Sequence, residues 1–238
     1  LSPEDKERKK IADDNYKLIK SHKYHIDKNI ETVDDNYHSF IESNLQNCTK
    51  YRNTQVIVTN YSTIEAAILY HKQYDNLSIC ILNFADSTKP GGGYLNGRSP
   101  QEETICRQTL LYPTLVGNQM YKDNIENNAK IEGSDTMIYS PNGLVIRDNE
   151  YKFINQKFCI NVISSPAVDN RKNVWNAHKL MESRIRKIIQ LAAYKGNRIL
   201  ILGAFGCGIF KNDPHQIAKI FYKVLIKEKM KDYFQFVI

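Results

Sequence analysis

The chain has 238 residues, with 33 lysines and arginines against 26 acids and a formal net charge of +7. That length suits one domain with a full core, and no apolar run approaches the ~18 residues needed to span a bilayer, so no membrane association is expected. Five cysteines (Cys48, Cys80, Cys106, Cys159, Cys207) without a C-x-x-C pair, and six dispersed histidines without H-E-x-x-H, argue against a disulfide framework and against a bound metal; they fit a reduced, intracellular protein of the cytoplasm or nucleus.

The positive charge would draw a polyanion toward the surface by long-range attraction. The chain is also crowded with Lys, Asn, Ile and Tyr, and its basic residues are scattered instead of clustered. No aromatic-basic motif of a nucleic-acid module is present, so no direct nucleic-acid partner is expected.

Ser2, Pro3, Glu4 and Asp5 place a capping residue, a proline at the first helical position and acids in the first turn, predicting a helix to about Ser21 with Ile11, Leu18 and Ile19 inward. Residues 24–51 are polar and weakly periodic, with a short helix expected near His38 to Gln46. The β-branched run Thr54 to Asn60 reads as a strand. Ser62-Thr63-Ile64-Glu65 is a capping box, and the helix it opens carries Ile64, Ala67, Ile68 and Leu69 toward a core.

A second strand holds Ile79, Cys80, Ile81, Leu82 and Phe84, with Cys80 and later Cys159 expected in buried strands. Strand, helix and strand with short connections make a βαβ unit, which implies an α/β fold with ligands at the C-terminal strand ends. The strand empties into a loop with Pro90, Gly91, Gly92 and Gly93. Three successive glycines admit positive φ and let another molecule reach the backbone.

Seven residues after Gly93, Gln101, Glu102 and Glu103 open a helix. Neighbours on a helix point about 100° apart, so both glutamates can face the loop only near the N-terminus. Like charges this close, partly desolvated, do not both ionise readily, and one is expected to stay protonated near neutral pH, the state a general acid needs. Spacing alone is equally consistent with a glycine-rich surface turn followed by acids that complement a helix dipole.

Residues 110–135 read as polar loop. Met137 to Pro141 and Leu144 to Asp148 read as a hairpin about Asn142-Gly143, and Phe158 to Ile163 as another strand. A helix from about Val174 to Tyr194 buries Val174, Ala177, Met181, Ile185, Ile188 and Ala192. Arg198 to Ala204 is the most apolar strand and runs into Phe205, Gly206, Cys207, Gly208, Ile209 and Phe210. Asp213 and Pro214 then cap a helix to about Met230, with Ile217, Ile220, Phe221, Val224 and Leu225 inward, and Tyr233 to Ile238 closes the sheet. Small residues before a helix N-terminus can cradle an anion. Without a following Gly-Lys-Ser/Thr this is no Walker loop, and taken alone it could be a tight turn. Phe205 and Phe210 read equally as core or ligand contacts, Asn83 could simply satisfy neighbouring backbone, and Cys207 reads as a small residue.

The spelling GGG, seven residues, QEE, preceded by LNFA and followed by Cys106-Arg107, resembles the signature of poly(ADP-ribose) glycohydrolases, in particular their compact microbial-type branch. MIYSP, VIRD, ISSPAV and GAFGCGIF-x-NDP are similar to the same family. The resemblance implies a single macrodomain-like α/β/α domain with a mixed sheet, residues 53–238, carrying an N-terminal helical extension, residues 1–52. It implies hydrolysis of the ribose–ribose O-glycosidic bond of poly(ADP-ribose), mainly from the chain terminus, with ADP-ribose released, in reversal of ADP-ribosylation such as that of the DNA damage response.

The substrates would be the polymer or ADP-ribosylated proteins, acted on by a monomer without cofactor or metal. By this resemblance Glu103 is the acid/base. Glu102 holds ribose hydroxyls and keeps its neighbour protonated, with Gln101 bonding nearby. Asn83 and Asp86 belong to the substrate loop, and Gly91, Gly92 and Gly93 pass close to the diphosphate and scissile ribose. Gly206, Cys207, Gly208 and Ile209 offer backbone N–H groups to the diphosphate, and Phe210 packs on the nucleotide. Asp86 stands where many relatives carry asparagine, which implies weaker binding of the diphosphate. A macrodomain that only binds ADP-ribose or polymer ends is the alternative, expected to keep the glycine loops and lose the paired glutamates.

Overall fold

The computed structural model describes residues 2–238. Helix α1 (Pro3–Lys20) has the expected reciprocal cap between Ser2 and Asp5. There follow β1 (Glu31–Val33), α2 (Asp35–Asn44), β2 (Gln55–Val56), α3 (Thr63–Gln73), β3 (Ile79–Ala85), α4 (Gln101–Gln108), α5 (Tyr112–Leu115) and α6 (Gln119–Glu126). The second half holds β4 (Met137–Arg147), β5 (Phe153–Pro166), α7 (Ala177–Tyr194), β6 (Ile199–Ile201), α8 (Pro214–Tyr222) and β7 (Phe236–Val237).

The seven strands form one mixed sheet in the order β1-β4-β5-β3-β6-β7-β2. Strands β5, β3, β6, β7 and β2 run parallel, and β4 is antiparallel to both β1 and β5. Alternation along β3 divides the core. Cys80 and Leu82 meet α2, α7 and α8 on one face, while Ile79 and Ile81 meet α1, α3, α4, α5 and α6 on the other. The result is the three-layer α/β/α arrangement. Among the described residues no helix is long and apolar enough to cross a membrane.

Several local expectations change. The strand expected at Thr54 to Asn60 pairs only through Gln55 and Val56 at the sheet edge, and Val58 is 96% exposed. Residues 110–135 contain α5 and α6, whose buried residues (Thr114, Leu115, Met120, Tyr121, Asn124) are too few and too polar to give a clear apolar period. Asn142-Gly143 is an irregularity inside one continuous β4; the hairpin turn lies at 148–152, where Asp148 Oδ1 accepts the N–H groups of Glu150 and Lys152. Strand β6 is shorter than expected, and α8 ends at Tyr222, continuing as a π-helical turn over Lys223–Lys227. Cys159 is exposed, Leu69 is 40% exposed, and α1 buries Ala12 and Asn15 in place of the expected isoleucine–leucine stripe.

Helix α1 is built into the body of the fold. Asn15 Nδ2 donates to the carbonyl of Arg107 at 2.9 Å, Arg147 Nε donates to Asn15 Oδ1 at 3.2 Å, and Arg8 Nε donates to the Gly97 carbonyl at 2.7 Å. Residues 31–45 supply β1 and the core side chains Val33, Ile41 and Leu45. Gly97 has φ +74, and a Cβ there would lie 1.9 Å from the Asp5 carbonyl oxygen. Backbone cannot yield as a side chain can. Gly97→Ala is therefore expected to destabilise the protein by about 2 kcal/mol or more, read as a lowered urea midpoint; an unchanged midpoint would mean that α1 is not fixed against this loop.

Candidate active site

The end of β3 and the start of α4 meet through side chains. Gln101 spans the gap: its Oε1 accepts the Phe84 N–H at 2.8 Å and its Nε2 donates to the Leu82 carbonyl at 2.8 Å. Those bonds continue the β3 edge into the helix. Glu102 and Glu103 then occupy the second and third helical positions, where the first-turn N–H groups and the positive dipole end favour carboxylates.

The two carboxylates sit differently. Glu102 is 2% exposed; its Oε2 accepts the Asp86 N–H at 2.8 Å and its Oε1 accepts from Asn83 Nδ2 at 3.2 Å. Asn83 also donates to Ser164 Oγ at 2.9 Å, while its buried Oδ1 has no partner. Burial pushes the Glu102 carboxyl up to about 8; the two hydrogen bonds oppose that shift, and the neighbouring Glu103 and Asp86 charges add to it. Of the two carboxyls, Glu102 is the one that burial holds toward its neutral form. Glu103 lies nearer the solvent side and its Oε1 accepts the Gly93 N–H at 2.8 Å.

Both carboxylates lean on Gly92. A Cβ on this residue, whose φ is +54, would lie 2.6 Å from Glu103 Oε1 and 3.3 Å from Glu102 Oε2. No other residue type fits there without moving the acids. Gly91, with φ +67, faces away: a Cβ there would meet the Tyr112 ring at 2.7 Å.

A cleft of about 720 Å³ opens in front of these groups, lined by Phe84, Asp86, Gly92, Gly93, Gln101, Glu102 and Glu103 on one side and Gly206, Gly208, Ile209 and Phe210 on the other. Among its described lining residues there is no lysine, arginine or histidine. The loop after β6 supplies backbone instead. The N–H groups of Gly206, Gly208, Ile209 and Phe210 make no hydrogen bond among the described residues, and Asn212 Nδ2 pins the loop by donating to the carbonyls of Val168 and Gly206. The dipole end of α8 is already taken by the Asp213 carboxylate, which accepts the His215 N–H at 2.9 Å, so the N–H groups left open on this side of the cleft are those of the loop and not of the helix end.

A family model described as "Microbial-type PARG, catalytic domain" matches residues 5–148, more than half of the chain. The chain belongs to this family. It is thus a catalytic domain of the poly(ADP-ribose) glycohydrolase family, and the solved structures agree. The enzyme from Thermomonospora curvata superposes with a TM-score of 0.88 at 26% identity, over 97% of this chain and 92% of that one. The same enzyme bound to the inhibitor ADP-HPD gives 0.84 at 26% identity, over 97% and 91%. The Deinococcus radiodurans enzyme in complex with ADP-ribose gives 0.77 at 28% identity, over 87% and 84%. No curated protein matches the sequence.

For this glycohydrolase-family chain the cleft gathers most of the residues singled out from sequence. Three stand outside its lining. Asn83 is fully buried beneath Glu102, Gly91 packs on Tyr112, and Cys207 is partly buried with its thiol pushed up by desolvation, away from the thiolate form. Phe205 is core, with its ring 5.4 Å from that of Phe84, whereas Phe210 lines the cleft. Sequence reasoning had not singled out Phe84, Ser99, Pro100, Ala167 or Ala204 as cleft residues. Phe84 is the one half-buried residue of β3, next to the strand's last residue, Ala85.

Because the folded Glu102 pKa lies above the unfolded carboxylate value, the folded state holds this proton more tightly, and stability is lost as pH rises from about 4.5 to about 8. Glu102→Gln removes that ionisation. The stability of the variant relative to wild type is expected to rise from pH 5 toward pH 8, by up to about 1 kcal/mol per pH unit. Denaturant titrations across that range check this, and a difference that does not vary with pH would contradict a desolvated Glu102.

Proposed function

We propose that this domain hydrolyses the ribose–ribose O-glycosidic bond of poly(ADP-ribose), mainly from the chain terminus, with Glu103 as general acid and then base. The observation that carries the reading is the placement of both carboxylates against the side-chain-free Gly92, in one cleft with the unpartnered N–H groups of the Gly206–Phe210 loop. That spacing suits a ribose held between an acid and a diphosphate. Residues 1–238 act as a single catalytic domain, as a monomer on protein-linked polymer, with ADP-ribose as product.

Cleavage needs a proton on the departing ribose oxygen and a water for the oxocarbenium-like carbon. Glu103 gives the proton to the leaving hydroxyl oxygen as the glycosidic C–O bond breaks. Its carboxylate then takes a proton from the water whose oxygen bonds to the sugar carbon, which restores the acid. Burial holds Glu102 toward its neutral form, so the pair need not carry two adjacent charges after Glu103 has given up its proton. The Gly93 N–H, donated to Glu103 Oε1, holds that side chain in orientation and leaves Oε2 for the substrate. Diphosphate on the opposite loop places negative charge near the developing cation.

Glu103→Ala is expected to lower ADP-ribose release from automodified polymerase by at least about 100-fold, the scale of a lost general acid, with ADP-ribose binding retained by calorimetry. No release by the wild-type protein would leave a domain that only binds. Asp86 supplies a finer test. Its Oδ1 accepts the N–H groups of Thr88 and Lys89 and so closes its own loop, while its second oxygen adds charge to the cleft wall. Asp86→Asn keeps the turn and is expected to tighten ADP-ribose by about fivefold, the worth of one screened charge; equal dissociation constants would remove Asp86 from the diphosphate's surroundings.

A further inference from the structure

Trp175 is the only tryptophan in the chain and is 92% exposed, on the loop between β5 and α7. A ring of that size left in water forgoes one of the larger burial gains a side chain can make. Its loop is fastened to the cleft. The Asn170 N–H donates to the Phe210 carbonyl at 2.8 Å, Asn170 Oδ1 accepts the Val174 N–H at 2.9 Å, and the Arg171 guanidinium lies 5.8 Å from the centroid of the Phe210 ring. Arg171 has its charge answered by Asp169, but Lys172 on this loop and Lys211 on the cleft loop are both exposed. An uncovered indole and free ammonium groups thus stand on the two loops that meet at Phe210.

We infer that Trp175, with Lys172 and Lys211, forms an accessory subsite that stacks the base and attracts the phosphates of the ADP-ribose unit adjacent to the one held in the cleft. The inference rests on the polymer reading above. Charge and chemistry both favour this occupant: every unit of the polymer repeats an adenine and two phosphates, an aromatic face stacks on any base, and exposed lysines complement the phosphates. A lone stack is weak in free solution. The adjacent unit is tethered to a neighbour already bound, so its effective concentration at the rim is high and a weak contact becomes useful. The subsite would make the domain favour polymer over single units without altering the chemistry at Glu103.

The indole reports on itself, because no other tryptophan contributes to the fluorescence. In a Glu103→Gln background, which spares the polymer, size-fractionated poly(ADP-ribose) is expected to quench Trp175 emission, and saturating free ADP-ribose and oligo(A) of similar length to leave it unchanged. Trp175→Ala should weaken polymer binding by about fivefold or more, the scale of one base stack, while calorimetry returns the same ADP-ribose affinity and melting point, and Trp175→Phe recovers part of the loss. Quenching by ADP-ribose alone would assign Trp175 to the cleft unit, equal quenching by oligo(A) would assign it to nucleic acid in general, and polymer affinity indifferent to Trp175→Ala would mean no contact; each overturns the subsite. If ADP-ribose itself fails to bind, the polymer reading falls instead, and the subsite with it.

Discussion

The carboxyl group of Glu102 is the constraint on which the site depends. It is closed off from water, yet it accepts the Asp86 N–H from the loop after β3 and an amide hydrogen of Asn83 from within the strand, so one side chain fastens helix α4 to the strand end. An ionised group in that position would be costly. Protonation lowers that cost, and burial outweighs the two hydrogen bonds, which by themselves favour the ionised form. Glu103, one residue further, inherits its position from this anchor, with the Gly93 N–H as its second fixed point.

The surrounding fold serves to keep that anchor still. Parallel strands β5, β3 and β6 deliver their C-terminal ends to one edge, so the Asp86 loop and the Gly206 loop face each other across the cleft. Helix α6 braces the first loop from behind, where Asn124 Nδ2 donates to the Ser87 carbonyl at 2.7 Å. Helix α1 braces the segment between the triple glycine and α4 through Arg8 and Gly97. Asn212 does the same for the far loop. Arg8 and Asn124 reach their loops from elements remote in sequence, and Asn212 ties its own loop to the Val168 carbonyl on another segment, which gives a rigid mouth built from flexible residues.

How far this could be read from sequence follows the kind of signal each part leaves. Caps and long apolar runs leave strong local signals: Ser2, Ser62 and Asp213 start helices where their chemistry places them, β3 is a continuous apolar run, and α7 carries a helical period. Short edge elements do not, because β1, with three residues, and β2, with two, are made strands by their neighbours and not by propensity. Asn142-Gly143 misled for a physical reason: positive φ, here +55 at Asn142, serves a bulge as well as a turn, and the side chain of Asn161 accepts the Asn142 N–H that a hairpin would have used otherwise. In the site, adjacency of two glutamates indicated a shared proton. It could not reveal which of them is sealed, since that depends on Asn83 and Asp86 arriving from another strand end.

The cleft also resolves the apparent mismatch between a basic chain and an acidic site. Its lining offers three carboxylates and no cationic side chain among the described residues, so a bound diphosphate would be held by backbone N–H groups that cannot neutralise charge. A lysine in that position would lower the Glu102 pKa and weaken the proton's hold on the pair. Fixed dipoles bind an anion without that side effect, because their partial charges are small and directed. Cations are instead kept to the surface, as at Lys172 and Lys211, where they attract a polyanion over a Debye length yet leave the acids in the cleft to their own desolvation.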